Sequence, residues 1–196
     1  ATLMVANHFR GPGETIFHSL FQVVSVISTT GHSVADWGEW PGLAVAVMFL
    51  LYFFGGCSGS TSGGVKCIRW LIYFKCLHRL LRKTIHPRGV FPIRVNGKPI
   101  SENVLETAWV FLFLFLVCLG VSTLILVALG LDAATAFTAT ASALGNVGPN
   151  LGPLGPLATY DWMPGPAKGV LSVCMLLGRL EFYSFIILFI PEFWSK

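Results

Sequence analysis

Long apolar segments alternate with short glycine-rich and polar segments along this chain. The clearest apolar segment, Ala108–Leu131, contains 24 residues and no charged side chain. A helix of about 20 apolar residues crosses the hydrocarbon core of a bilayer, so this segment is predicted to span a membrane. Two further spans are predicted at Pro41–Gly56, which is short, and at Gly165–Pro191, which contains three charged residues.

Two weaker apolar segments, Thr15–Ser28 and Ala133–Leu144, have the length of a re-entrant helix and are too short to span a bilayer. Each is followed by a loop that contains glycine, Ser28–Ser33 after the first and Gly145–Asn150 after the second. An outer loop and an inward helix complete each unit, so the chain contains a repeat. A full outward span precedes only the second unit, and we expect the matching span of the first unit to lie outside this sequence.

Composition and charge agree with embedding in a membrane. The chain is 54% hydrophobic and 11% charged, with a mean hydropathy of +0.72, whereas soluble domains are about 25% charged. Nine of its 13 Lys and Arg residues fall between Lys66 and Lys98, where no Asp or Glu occurs. A nucleic-acid site is the rival interpretation of this basic interval, but the flanking apolar spans favour a topological one.

The basic interval sets the predicted orientation, because loops rich in Lys and Arg remain in the cytoplasm. The Pro41–Gly56 helix then runs inward, the Ala108–Leu131 helix runs outward, and the last helix returns inward. A small cytoplasmic hairpin is predicted near Val90–Ile100, where Asn96-Gly97 is typical of a turn. Anionic lipid and an acidic partner are equal candidates for binding the basic loop.

The two glycine-containing loops have the chemistry of a cation pathway. Non-helical backbone at membrane depth is tolerated where it lines a wet cavity or is buried in protein, and its carbonyl oxygens replace the hydration shell of an ion. Neutral hydroxyl and amide oxygens add ligands that suit a large monovalent ion; they belong to Thr29, Thr30, Ser33, Asn146 and Asn150. Both short helices begin outside with an acidic residue, so their negative C-terminal dipole ends favour a cation at the membrane centre.

The glycine-rich segment, residues 55–64, is predicted to break a membrane helix. Each Gly in a helix interior costs about 1 kcal/mol relative to Ala, and this segment contains Gly55, Gly56, Gly59, Gly63 and Gly64 together with Ser58, Ser60 and Ser62. A close contact between helices through small residues is the alternative interpretation. Five glycines in this segment exceed what such a contact needs, which favours the break.

Arg179 is predicted to lie near the middle of the last span, about 12 residues before Pro191 at a helical rise of 1.5 Å per residue. A charged residue at that depth is functional by default. Arg179 then either forms an electrostatic barrier in the pore or binds carbonyl groups of the glycine-rich segment in a closed state. Pairing with Glu181 and snorkelling are its structural alternatives.

The cysteines and histidines do not form a recognisable metal or catalytic motif. The five cysteines are odd in number and are interpreted as buried thiols rather than disulfides; they are Cys57, Cys67, Cys76, Cys118 and Cys174. A membrane enzyme is an alternative that the scatter of the histidines over both membrane faces argues against; they are His8, His18, His32, His78 and His86. We expect His32 to brace the loop as a half-buried ring, the alternatives being a titrating gate or a metal ligand.

The ordered set of motifs resembles the Trk/Ktr/HKT superfamily of potassium transporters, most closely its bacterial TrkH-type branch, over essentially the whole chain. The stretches that carry the resemblance are Ser28–Ser33, Gly55–Arg69, Ile85–Pro92, Asn146–Asn150, Gly178–Tyr183 and Phe193-Trp194. Two residues depart from the family pattern. His32 stands where an aromatic residue is commoner, and Asn150 stands where a small residue is commoner.

The resemblance implies an all-α integral membrane fold of four membrane–pore–membrane repeats around one pore, with re-entrant pore helices and a broken, glycine-rich helix. Residues 1–100 would form most of the third repeat and residues 101–196 the fourth. The implied filter binds K⁺ through Thr29, Thr30, Gly31, Asn146, Val147 and Gly148, with Gly31 and Gly148 as the filter glycines. It is braced by His32, Ser33, Pro149 and Asn150. The implied gate consists of Gly55, Gly56, Gly59, Ser60, Gly63, Gly64 and Arg179.

The resemblance also implies potassium uptake across the bacterial cytoplasmic (inner) membrane, without enzymatic activity and without a cofactor other than the transported K⁺. Transport of Na⁺ or of mixed monovalent cations on the same fold and a non-conducting scaffold subunit are the alternatives. The implied partners are membrane lipid, a second copy in a homodimer and a cytosolic nucleotide-binding regulatory subunit. No nucleic acid is expected.

Overall fold

The computed structural model describes residues 11–57, 59–60, 62–89, 91–95, 97–156 and 158–194. Its helices are α1 (Pro12–Ile27), α2 (Gly42–Leu51), α3 (Cys67–Ile85), α4 (Glu102–Ala128), α5 (Ala133–Gly145), α6 (Gly165–Arg179) and α7 (Tyr183–Ile187). Three-residue 3₁₀ helices lie at Trp37–Glu39, Gly152–Leu154 and Pro191–Phe193. The predicted hairpin is present as β1 (Arg94–Val95) paired antiparallel with β2 (Lys98–Pro99). His8, Ser58, Val90 and Asn96, which the sequence analysis names, lie outside the described residues.

The predicted central span corresponds to α4. In the described part of the chain it is the one helix that is long and apolar enough to cross a membrane, with 27 residues and a hydropathy of 3.0. It begins at Glu102, earlier than the predicted Ala108, because its first turns are polar and apolarity alone does not detect them. The apolar helix α2 has 10 residues and is therefore shorter than a full span.

Helix α5 lies at the centre of the fold, between α4 and α6. Its residues from Thr138 to Gly145 are all buried, although they are small and partly polar. Small side chains let neighbouring helices approach closely: a Cβ added to Gly178 of α6 would lie 2.1 Å from the Leu144 carbonyl oxygen. Asp132 begins the helix as predicted, since its Oδ2 accepts hydrogen bonds from Ala134 N at 3.1 Å and Thr135 N at 3.4 Å.

The predicted break in the glycine-rich segment is present. Helix α2 ends at Leu51, and the described residues from 52 to 66 are not helical. The two ends of the segment meet, because Gly55 N donates to Val65 O at 2.9 Å and Cys67 N donates to Gly56 O at 3.2 Å. The segment is therefore a closed loop inserted between α2 and α3 rather than an extended linker.

The basic interval was predicted to be a loop, and that prediction was wrong for most of its length because it forms the 19-residue helix α3. One face of α3 is apolar, with Ile72, Tyr73 and Cys76 buried. Tyr73 Oη donates to Ala108 O at 2.7 Å and so fixes α3 to α4. The density of basic residues on the other face concealed this helical period in the sequence.

The last predicted span, Gly165–Pro191, is not one continuous helix. Helix α6 ends at Arg179, and both Glu181 (φ 56°) and Phe182 (φ 41°) have left-handed backbone conformations. The interruption places Arg179 at a helix terminus and not within a continuous helix, which corrects the expected geometry. Burial of Phe182, 3% exposed, accounts for the interruption, because the turn directs this ring into the core.

The prediction that the cysteines are buried thiols was correct for Cys76 and Cys174 and wrong for Cys57 and Cys67, which are exposed. Cys118 is half-buried, and all five thiols are free. Cys57 lies within the glycine-rich segment, and Cys67 begins α3, where its Sγ donates to Gly55 O at 3.0 Å.

Candidate functional site

The two glycine-containing loops have matching backbone conformations. Thr29 and Gly31 in the first loop have φ angles of 54° and 77°, and Asn146 and Gly148 in the second have φ angles of 54° and 101°. Each pair follows the C-terminus of a short helix, α1 or α5. The structure thus repeats the same left-handed helix ending at the positions that the sequence repeat predicts to be equivalent.

The hydrogen bonds of the two loops also match. Thr30 N donates to Ser25 O, and Val147 N donates to Ser142 O, both at 3.0 Å. One residue earlier in each loop, the amide nitrogen donates to the carbonyl three residues before it, at 3.1 Å in both cases. This is the Schellman ending that many helices share, and its occurrence at the positions that the sequence repeat pairs supports the equivalence of α1 and α5 with their loops.

The two loops meet at their glycines. A Cβ added to Gly148 would lie 3.6 Å from the Gly31 Cα, and a Cβ added to Gly31 would lie 2.6 Å from the Val147 carbonyl oxygen. Their positive φ angles are also unfavourable for residues with a Cβ. Glycine at Gly31 is therefore required by conformation and by the approach of the second loop.

Several carbonyl groups at this meeting point have no donor. Among the described residues, none donates a hydrogen bond to the carbonyl oxygens of Thr29, Thr30, Gly31, Asn146 or Val147. Backbone carbonyl groups are normally paired with a donor, water or an ion; within this set Val147 is buried and Thr30 is exposed. These oxygens are therefore available to a cation, and they belong to residues that the sequence analysis assigns to the filter.

The carbonyl that follows each filter glycine is held by the protein. Ser25 Oγ donates to His32 O at 2.6 Å, and Ser142 Oγ donates to Pro149 O at 2.9 Å. The Pro149 carbonyl also accepts a hydrogen bond from Tyr52 Oη at 2.6 Å. These hydroxyl groups fix the end of each loop and turn its last carbonyl away from the unpartnered ones.

Asn150 lies in a bracing position rather than among the unpartnered carbonyls. Its side chain is completely buried, and its Nδ2 donates to Tyr160 Oη at 2.9 Å, while Tyr160 Oη donates to Gly148 O at 3.3 Å. Burial raises the pKa of Tyr160 above its ordinary value. Through Tyr160, Asn150 holds the filter glycine of the second loop.

The environment of His32 differs from the expected one, whereas the predicted amide-oxygen ligand of Asn146 stays a prediction. His32 was expected to be half-buried, but its side chain is exposed and only its carbonyl is held. The amide of Asn146 donates from Nδ2 to Met175 O at 3.1 Å, which ties the second loop to α6. Ser33 Oγ is buried and has no hydrogen-bond partner in the described part of the chain.

The glycine-rich segment contacts the end of α5 directly beside the second loop. A Cβ added to Gly63 would lie 2.7 Å from Gly145 O and 2.8 Å from the Cβ of Asn146. At Gly64 an added Cβ would lie 3.6 Å from the Gly145 Cα. The segment thus lies against the C-terminal end of the second short helix, the end that carries negative partial charge.

Arg179 forms no side-chain hydrogen bond or ion pair with the described residues of the glycine-rich segment. Its side chain is exposed, and no hydrogen bond or ion pair connects it to another residue within the described ranges. Its alternative partner, Glu181, instead pairs with Lys66 at 2.5 Å and Arg69 at 2.7 Å. Of the two roles proposed for Arg179, the electrostatic barrier is compatible with this geometry.

Sequence reasoning missed four residues that hold the loops: Ser25, Ser142, Tyr52 and Tyr160. The two serines have a detectable signal, since the interval from Gly31 to Gly148 also separates Ser25 from Ser142. Aligning the two units on their glycines would have paired these serines. The two tyrosines are distant in sequence from the carbonyls they contact, and no local pattern reveals them.

Comparison with known proteins identifies relatives over nearly the whole chain. The family described as "TrkH: Cation transport protein" matches residues 10–196. The Trk system potassium uptake protein TrkH of Halomonas elongata is 39% identical over 184 residues, which cover 91% of this chain and 37% of that protein. TrkH of Escherichia coli K12 is 37% identical, covering 93% of this chain and 37% of that protein.

The crystal structure of the potassium transporter TrkH from Vibrio parahaemolyticus is similar to this chain, with a TM-score of 0.88 and 35% identity. The match covers 99% of this chain and 41% of that one. The chain therefore spans about two fifths of the length of the relatives it matches.

Replacing Ser142 by Ala is expected to loosen the second loop, because Pro149 O loses one of its two donors. One hydrogen bond of this kind contributes about 1 kcal/mol, which corresponds to a reduction of about fivefold in the preference for K⁺ over Na⁺. The measurement is the permeability ratio of the reconstituted transporter. Ser25→Ala is expected to act in the same direction in the first loop.

Two hydroxyl groups on the same short helices provide matched controls. Ser19 Oγ donates to Thr15 O, and Thr140 Oγ1 donates to Ala136 O, both within a helix. Ser19→Ala and Thr140→Val are expected to leave the permeability ratio unchanged. An equal change in the control and serine variants would show that the loop anchors have no specific role.

Proposed function

Because this chain belongs to the TrkH family of cation transport proteins, we propose that it forms part of a potassium uptake pathway across the bacterial inner membrane. Family membership makes it a helical membrane protein. Its two loops then belong to neighbouring repeats of one pore, with residues 1–100 contributing to the third repeat and residues 101–196 forming the fourth.

The observation that supports this proposal most strongly is the cluster of unpartnered carbonyl oxygens where Gly31 and Gly148 meet. Carbonyl dipoles replace the water around a K⁺ ion when they are held at fixed positions. The hydroxyl groups of Ser25, Ser142 and Tyr52 fix the loops by donating hydrogen bonds to the carbonyl that follows each glycine. Two equivalent loops contribute oxygens from two directions, as a coordination shell requires.

The ends of α1 and α5 add a second contribution. Both helices terminate at the loops, so the negative ends of their dipoles point towards the same place. In a site that excludes most water, this field favours a cation without requiring a buried carboxylate. A neutral oxygen site suits K⁺ better than a divalent ion, which prefers charged oxygen ligands.

The glycine-rich segment is proposed to gate this pathway. Gly63 and Gly64 lie against the end of α5, beside Asn146 of the filter loop. A segment without helical hydrogen bonds and with little side-chain packing moves more easily than the helices around it. Arg179 is proposed to act as a separate electrostatic barrier on the last helix.

The proposed assembly is a homodimer regulated by a cytosolic nucleotide-binding subunit. The basic face of α3 is then cytoplasmic and accessible to that subunit or to anionic lipid. Relatives of this chain are named as components of Trk systems, and this naming supports a partner subunit.

Gly31→Ala is expected to reduce discrimination between K⁺ and Na⁺ strongly, because the new methyl group displaces the Val147 carbonyl. Rubidium and sodium uptake by the reconstituted transporter measure this change, with the amount of folded protein determined separately. Gly13, whose added Cβ would meet no atom within 4 Å, provides the control variant Gly13→Ala. Retained K⁺ selectivity in Gly31→Ala would contradict the filter assignment.

Deleting residues 59–62 is expected to raise rubidium flux per folded transporter, because the segment no longer fills the space below the filter. Arg179→Ala is also expected to raise flux. The two changes in free energy should add, because no contact joins Arg179 to the segment among the described residues. Lower flux per molecule in both variants would indicate helix-packing elements instead of a gate.

A further inference from the structure

An ion-pair cluster lies where the glycine-rich segment meets α3. Glu181 contacts Lys66 Nζ through Oε1 at 2.5 Å and Arg69 Nη2 through Oε2 at 2.7 Å. The side chains of Lys66 and Arg69 are 17% and 14% exposed, so both cations are largely removed from solvent. One carboxylate thus binds two mostly buried cations, an arrangement that costs much more to disrupt on one side than a surface ion pair.

Lys66 is the residue through which the glycine-rich segment enters α3. It forms a backbone bridge with Gly55, the first glycine of the segment, and Cys67 N donates to Gly56 O. Lys66 therefore belongs to the point where the loop closes. Because Lys66 closes the loop, we expect a shift of its side chain to move Gly63 and Gly64, which contact the end of α5.

The backbone around Glu181 is shaped to make this contact. Glu181 and Phe182 both have positive φ angles, which are unfavourable for residues with side chains and persist only where the surroundings stabilise them. Phe182 is buried, with its ring 5.4 Å from Phe111 and 6.4 Å from Phe115. The turn between α6 and α7 thus buries Phe182 and presents the preceding side chain, Glu181, to Lys66 and Arg69.

Arg69 connects this turn to α4 by a second route. Its guanidinium carbon lies 3.9 Å from the centre of the Phe111 ring, the ring that also contacts Phe182. A cation above an aromatic face is stabilised by the ring's quadrupole. Arg69 Nη1 is buried and has no acceptor within the described ranges, so Glu181 and Phe111 are the groups that hold this charge.

We propose that Glu181 is a positioning residue for the gate: it pairs with Lys66 and Arg69 and so holds the glycine-rich segment against the end of α5. The inference rests on the proposed function, since it presumes that the segment controls flux. Release of Glu181 frees the closing point of the loop and weakens its contact with α5. Movement at the break between α6 and α7 is thereby transmitted to the segment.

Glu181→Gln tests this inference because it removes the charge and preserves the size of the side chain. Rubidium flux per folded transporter in liposomes is expected to rise about tenfold or more, the change that corresponds to loss of one charged hydrogen bond worth about 1.5 kcal/mol. The K⁺/Na⁺ ratio is expected to stay at the wild-type value, because the filter loops are not touched. A general loss of structure would change both quantities.

Lys66→Met provides a second variant that acts from the other side of the ion pair. It is expected to raise flux as well, and the double variant with Glu181→Gln should add little to the larger single effect. Glu102→Gln is the matched control. It removes the ion pair between Glu102 Oε1 and Arg79 Nη1, which are 2.9 Å apart and join α4 to α3. This pair lies away from the glycine-rich segment, so its loss should leave flux unchanged.

The outcomes separate this inference from the function on which it rests. A wild-type protein that shows no selective rubidium flux would contradict the proposed function. Selective flux in the wild type, with equal or lower flux in both Glu181→Gln and Lys66→Met, would overturn the positioning role alone. A rise in the Glu102→Gln control equal to that in Glu181→Gln would likewise overturn it, because any ion pair of α3 would then have the same effect.

Discussion

A backbone carbonyl oxygen that no donor binds is satisfied by water or an ion, and the two loops that meet at Gly31 and Gly148 contain several such oxygens among the described residues. They lie at the ends of two short helices, where the backbone turns left-handed at Thr29 and Asn146 and again at the glycines that follow. A cation is the ligand that satisfies oxygens without donating a proton. The rest of the site can be understood as the structure that holds these oxygens in place.

That support requires close packing around α5. The helix is built from small residues, so α4 and α6 approach its backbone, and Gly178 and Gly63 contact it where a larger side chain would collide. The loop after α5 is held by hydroxyl groups from Tyr52 and Ser142. Because the same helix end faces the second loop and the glycine-rich segment, a shift of the segment has a short path to the unpartnered carbonyl groups.

Much of this arrangement could be predicted from the sequence because its signals are local. The cap at Asp132, the break between α2 and α3 and the hairpin each depend on a few adjacent residues with known conformational preferences. The repeat is also local in this sense, since each loop carries its own glycine. The all-α membrane fold follows from apolar length and family membership together.

The features that escaped prediction depend on contacts between distant parts of the chain. The many basic residues of α3 hid its apolar face from a reading of the sequence. The break after Arg179 depends on Phe182, whose ring packs against Phe111 of α4. Glu181 was considered only as a partner for its neighbour Arg179, whereas its partners Lys66 and Arg69 come from another helix. Tyr52 lies 97 residues from the Pro149 carbonyl that it contacts, and Tyr160 lies 12 residues from the Gly148 carbonyl.

The central claim is that a monovalent cation binds the unpartnered carbonyl groups between the two loops. A crystal of the transporter grown with thallium, a heavy substitute for K⁺, measures this directly through anomalous scattering. The account predicts an anomalous peak within coordination distance of the Thr30 and Val147 carbonyl oxygens that persists when excess Na⁺ is added with the thallium and is lost when excess K⁺ is added. A fully occupied thallium site elsewhere in the pore, with no peak at these two carbonyls, would contradict it.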